Sequence, residues 1–99
     1  MTQFQSHVLD MTLKIPKGKV TTYKELALAV GKPKAWRAVA NVMAGNTRPI
    51  IIPCHRVVKS SGEIGGYTFG TKRKVELLAA EGIDIEGRKV NLTKHMFKF

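Results

Sequence analysis

Acidic side chains are scarce in this 99-residue chain: seven Asp and Glu stand against 17 Lys and Arg, a formal net charge of +10. That imbalance implies a polyanionic partner, most often a nucleic acid. Cysteine is scarcer still. A single one, Cys54, excludes an internal disulfide. The three histidines, His7, His55 and His95, are far apart, and no Cys/His spacing resembles a zinc site. Neither a metal nor a cofactor is expected. No apolar run approaches the length needed to cross a bilayer. The first ten residues lack the basic start and apolar stretch of a signal peptide. These absences predict no membrane association and a reducing, intracellular location, cytoplasmic or, in a eukaryote, nuclear. Repeats, low-complexity segments and linkers are also missing. One small domain over residues 1–99, with no additional amino-terminal domain, is therefore expected.

What is present reads as mostly helical. Phe4, Val8, Met11 and Ile15 recur at helical spacing and predict an amphipathic helix ending before Pro16. Thr22-Tyr23-Lys24-Glu25 has capping-box spacing, with Thr22 as N-cap. That helix stops at Gly31, and Pro33 suits the first position of another, running to Ala44. Two short helices across a Gly-containing turn form a helix-turn-helix pattern. In the second, Val39, Val42 and Met43 suit the core, while Arg37, Asn41 and Ala44 share another face. Periodicity does not place Trp36. Ile50-Ile51-Ile52, between prolines, predicts a short buried extended run, and residues 55–59 a strand. Gly65-Gly66 predicts a bend where backbone can approach a ligand. Thr71 suits the cap of a last helix ending at Gly82, and residues 83–99 predict irregular structure or a short strand. The fold class expected is a small, mostly α, winged-helix-like domain with short strands or a hairpin around Cys54.

Cys54 lies in Ile52-Pro53-Cys54-His55-Arg56-Val57. A thiolate is the strongest side-chain nucleophile, and an adjacent imidazole can create it or balance its charge. A lone cysteine is more often a small buried apolar residue, so the case rests on its surroundings.

Those surroundings agree. Thr22-Tyr23, the run from Pro33 to Val39, Gly45-Asn46, the run from Ile52 to Val58, Gly66-Tyr67 and Ala80-Glu81-Gly82 occur in one order. The set resembles the DNA-binding, active-site domain of the 6-O-alkylguanine-DNA alkyltransferases, over residues 4–83. The resemblance implies that Cys54 accepts the alkyl group. His55 would act through a water as its base, Glu81 would orient the imidazole, and Asn46 would fix the turn leading to the site. Arg37 would fill the duplex where a damaged nucleotide is flipped out, and Tyr23 would press on the target phosphate. Lys24, Lys32 and Ser60 would contact phosphates. Tyr67 and Met43 would flank the flipped guanine, with the Val57 carbonyl and Thr68 at its edge. Phe69, where some relatives have glycine, would narrow the pocket if its ring points inward. The partner implied is double-stranded DNA containing alkylated guanine, bound by a monomer through the minor groove.

The physics is consistent with that resemblance. A methyl group on a stacked guanine is beyond a side chain's reach, so the nucleotide must be extruded. Transfer to sulfur leaves a thioether, and each molecule would act once. Two other readings share the residues: a lesion-recognition protein of the alkyltransferase-like kind, which binds without repair, and a plain helix-turn-helix DNA binder with a structural cysteine. Some short relatives of the alkyltransferase-like kind carry tryptophan in place of the cysteine, and this chain keeps the cysteine.

Overall fold

Thr2 opens the first helix by a reciprocal cap: its hydroxyl accepts from the Gln5 N–H at 3.1 Å, and the Gln5 side chain accepts from the Thr2 N–H at 2.8 Å. In the computed structural model, which describes residues 2–99, helix α1 spans Gln3–Thr12. It ends earlier than its apolar spacing predicts. Ile15 is still buried, because the chain tightens into a turn with Lys14 N–H on Met11 and Ile15 N–H on Thr12. Strand β1 (Thr21–Thr22) leads directly into α2 (Tyr23–Ala29), and the Thr22 hydroxyl caps it by accepting from the Glu25 N–H at 3.0 Å. Helix α3 (Trp36–Ala44) starts later than Pro33 predicts. Lys32 N–H bonds back to Ala27 and Ala35 N–H to Lys32, so Pro33 sits in the turn between the helices.

These three helices make one layer around Val8, Ile15, Leu26, Ala27, Val39 and Met43. Arg37, Asn41 and Ala44 are exposed, as their spacing predicts. The Ile50–Ile52 run departs from expectation. Ile50 and Ile51 are exposed, not buried, and Ile50 has φ +77°, a left-handed conformation that is rare for a β-branched residue. The Ile52 N–H closes the loop onto Arg48 O at 2.9 Å.

Cys54–Arg56 forms a single 3₁₀ turn, so the strand predicted from His55 is shortened to β2 (Val57–Val58). β2 pairs in parallel with β1, Thr21 with Val57 and Thr22 with Val58. Successive strand residues face opposite sides. Val57 accordingly joins the three-helix core, and Val58 joins a second cluster with Val20, Ile64, Leu78, Ile83 and Val90. The site-bearing strand is thus wedged between two cores.

Helix α4 spans Thr71–Ala80. Gly70, at φ +90°, occupies the cap position where Thr71 was expected, and Thr71 falls inside the first turn. Beyond it, residues 83–99 are ordered into an antiparallel pair, β3 (Ile85–Glu86) and β4 (Lys89–Val90), and a short α5 (Leu92–His95). The tail then runs beside Val20, whose N–H donates to His95 O at 3.0 Å and whose carbonyl accepts from Phe97 N–H at 2.7 Å. Gly62 is required where this segment crosses: a Cβ there would lie 2.9 Å from the Val90 carbonyl oxygen, and its φ is +91°.

Candidate active site

The 3₁₀ turn after Pro53 presents Cys54 at the wall of a cavity of about 430 Å³. Helix α3 supplies Ala40, Asn41, Met43 and Ala44, α2 supplies Tyr23, and the loop before α4 supplies Gly65, Gly66, Tyr67 and Thr68. The size falls in the range of small-ligand sites. Gly65, at φ +76°, lets the loop pass under Tyr23: a Cβ would lie 3.3 Å from the tyrosine hydroxyl. Cys54 is itself nearly buried, at 4% exposure.

Behind the cysteine, His55 is fully enclosed and its Nε2 lies 3.0 Å from Glu81 Oε2. Burial pushes the Glu81 carboxyl up, but hydrogen bonds from Arg56 and then His55 outweigh it and hold the carboxyl below its ordinary 4.5. An ionised carboxylate only accepts, so Nε2 carries the proton and Nδ1 holds the free lone pair. Nδ1 is buried and has no partner among the described residues. Burial also lowers the imidazole below its ordinary 6.5, against the upward pull of Glu81. The ring is therefore neutral at pH 7, with its basic nitrogen uncommitted.

Glu81 is held from two sides. Arg56 grips it bidentately, Nε to Oε1 at 2.9 Å and Nη2 to Oε2 at 2.7 Å, and donates Nη1 to the Ile15 carbonyl at 2.8 Å. That links the end of α4 to the turn after α1. Lys74 is the second unexpected participant. Its side chain has no exposed surface, and Nζ donates to Val57 O at 2.7 Å and Gly66 O at 3.1 Å, tying β2 to the cavity loop. Burial lowers its pKa to about 8, while a thiolate at Cys54 pulls it back up. Burial and then that same thiolate raise the Tyr23 and Tyr67 hydroxyls above 10.0, which keeps both phenols protonated.

Sequence reading pointed to neither Arg56 nor Lys74. The signal for Lys74 lay in α4: positions 74, 78 and 81 are spaced i, i+4, i+7, and a lysine shares that stripe with buried Leu78.

The predicted residues divide by place. Cys54, Tyr23, Met43, Tyr67 and Thr68 meet at the cavity, with His55 and Glu81 immediately behind. Asn46 is buried; its Nδ2 donates to Ile52 O at 3.0 Å and its Oδ1 accepts from Arg48 N–H at 2.9 Å, which braces the loop into Pro53. Val57 has its side chain in the core and its carbonyl on Lys74. Phe69 does not line the cavity: it is 57% exposed and meets Tyr67 edge-on at 5.8 Å, on the outside of that ring. Arg37, Lys24, Lys32 and Ser60 are exposed. Lys24 and Ser60 line a second cavity that shares Tyr23 with the first, and Lys32 lies outside both. Among the described residues no helix is long and apolar enough to cross a membrane, and no group of three or more His, Cys, Asp or Glu is placed to hold a metal ion.

Comparison with known proteins places this geometry among relatives. The chain is 52% identical over 80 residues to the methylated-DNA–protein-cysteine methyltransferase of Homo sapiens, an alignment covering 80% of this chain and 39% of that protein. It spans about half or less of the length of the curated relatives it first matches. Among solved structures, Schizosaccharomyces pombe Atl1, determined with damaged DNA containing O6-carboxymethylguanine, superposes with a TM-score of 0.91 at 35% identity, over 100% of this chain and 98% of that one. Mycobacterium tuberculosis OGT, determined with DNA, superposes at 0.81 with 43% identity, over 83% of this chain and 50% of that one. The family model for the DNA-binding domain of 6-O-methylguanine DNA methyltransferase matches residues 3–83, and the chain belongs to that family.

Proposed function

We propose that this domain, acting as one DNA-binding and catalytic unit, removes an alkyl group from the 6-oxygen of guanine in duplex DNA and keeps it on Cys54. The observation that carries this reading is the buried His55, hydrogen-bonded to a half-buried Glu81 and next to a cysteine at a cavity wall. His55 Nδ1, acting through a water, takes the thiol proton. The sulfur lone pair attacks the alkyl carbon, the carbon–oxygen bond breaks, and its electrons return to the guanine ring. The ring regains a proton at N1, so the thiol proton is balanced in the products. Glu81 stabilises the imidazolium that forms in between, the orienting role of a triad's third member. The thioether has no route back, so each molecule acts once.

The rest of the cavity suits a flipped guanine. Met43 and Tyr67 flank it, and Thr68 meets its edge. Tyr23 presses on the target phosphate, Arg37 fills the gap in the stack, and Lys24, Lys32 and Ser60 meet phosphates. Extrusion costs a few kcal/mol, which these contacts must offset. The exposed alanines of α3, Ala38 and Ala44, permit close approach of that helix to DNA.

A second reading, binding of the lesion without repair, is favoured by the match to Atl1 along nearly its whole length. One experiment separates the two. The protein is incubated with duplex DNA carrying a labelled O6-methylguanine and mapped by peptide mass spectrometry. Repair predicts one methyl group on Cys54, none on Cys54→Ser, and similar duplex affinity for both. Preferential binding of the lesion with no transfer would establish the second reading instead.

A further inference from the structure

The Cys54 cavity does not end at Tyr23. Tyr23, Ala40 and Lys59 also line a larger groove of about 720 Å³, so the two spaces adjoin. Trp36, at the start of α3, and Pro33, in the turn before it, also line that groove. Trp36 is the only tryptophan in the chain and is 46% exposed. The Arg37 guanidinium rests 5.1 Å from its ring centroid. Lys24, Lys34 and Lys59 rim the groove; all are exposed, none pairs with a carboxylate among the described residues, and no acidic residue lines the space.

The exposed indole belongs to neither core cluster. Beside three free ammonium groups it has the composition of a nucleotide site: a flat apolar face for a base and cations for its phosphate. A strand that delivers one nucleotide into the Cys54 cavity must pass its neighbour over the adjoining surface. We infer that the groove holds the nucleotide next to the flipped one, with its base stacked on Trp36 and its phosphate among Lys24, Lys34 and Lys59. Trp36 thereby becomes a determinant of sequence context and of duplex affinity. This rests on the reading of the chain as a DNA-alkylguanine protein.

The test uses duplexes in which O6-methylguanine is flanked by normal nucleotides or, on one side or the other, by an abasic site. Binding is measured for the native protein and for Trp36→Ala, Trp36→Phe and Trp36→Leu. Reaction with free O6-alkylguanine base and thermal melting report whether each variant retains its fold and chemistry. Removing the base on one side should weaken native binding about tenfold, in the range found for single base–aromatic stacks. Trp36→Ala should bind the normal duplex about tenfold more weakly and be indifferent to that abasic flank. Trp36→Phe should stay close to native, and Trp36→Leu should resemble Trp36→Ala. The native indole emission, which has a single source, should change on binding. Native affinity in Trp36→Ala, or an abasic penalty undiminished in it, overturns this inference alone. Should Trp36→Ala not fold, a native-like Trp36→Leu or the lack of any abasic penalty in the native protein overturns it. A native chain with no preference for alkylated duplex overturns the DNA-lesion reading itself, and this inference with it.

Discussion

Lys74→Met separates two jobs done by one buried ammonium. Methionine keeps the length and the apolar stem and removes the charge and the donors. Burial takes the lysine from 10.5 to about 8. At about 1.4 kcal/mol per tenfold, that is about 3 kcal/mol of disfavoured charge at neutral pH. Against it stand the hydrogen bonds to the Val57 and Gly66 carbonyls. A bond from a charged donor contributes about 1.5–3 kcal/mol. The two effects oppose, so the variant should lose only roughly 0–3 kcal/mol at pH 7. Transfer should suffer more, because Gly66 is no longer tied to β2 and the cation facing Cys54 is gone. An opposite charge at close range is worth at least about tenfold to an ionised group, and a slowing of that order is expected.

The pH dependence has a definite sign. The folded value lies below the unfolded one, so between pH 8 and 10.5 the native state holds fewer protons than the unfolded state. Stability therefore rises with pH across that window by up to about 3 kcal/mol, relative to a chain without the lysine. Below pH 8 both states are protonated at Lys74 and its contribution is flat. The assay is urea denaturation of the native protein and Lys74→Met at pH 7 and pH 10, with single-turnover methyl transfer over the same range. The native rate should fall as pH rises above about 8, and the variant should lack that limb. Parallel stability–pH curves, or a variant that transfers at the native rate at pH 7, would refute the reasoning.

His55→Gln and Glu81→Gln should each slow transfer by about 10²–10⁴, the range of a lost general base, and the double variant should be no slower than the worse single one. Additive losses in that cycle would separate Glu81 from the chemistry and leave it as the anchor of Arg56. Phe69→Gly should leave the ratio of benzyl- to methylguanine transfer rates within about twofold of native, since the ring lies outside the cavity and well under 1 kcal/mol is at stake. A selective gain for the benzyl substrate would show that the ring swings inward.

The limits of reading this chain from its sequence follow from what periodicity encodes. Thr22 as a cap and the buried face of α3 were legible because both depend on residues three or four apart. Cys54-His55 was legible because its parts are adjacent. Arg56 was in plain view beside them and was still missed, because its partners are the Ile15 carbonyl and Glu81, 41 and 25 positions away. The Ile50–Ile52 run misled for a related reason. Apolar content predicts burial only where the backbone is free to turn inward. Here Asn46 fastens the loop at both ends, to Arg48 N–H and Ile52 O, and holds Ile50 and Ile51 facing out. Residues 83–99 show the same dependence on distant partners. Their weak alternation carries little strand signal, yet they are ordered because Ile83 and Val90 complete the second core and the tail pairs with Val20. That core presses on Val58, the neighbour of the Val57 whose carbonyl holds Lys74. A segment that looks like a dispensable tail thus sits two residues of packing away from the cavity wall, and its contribution to the site passes through β2.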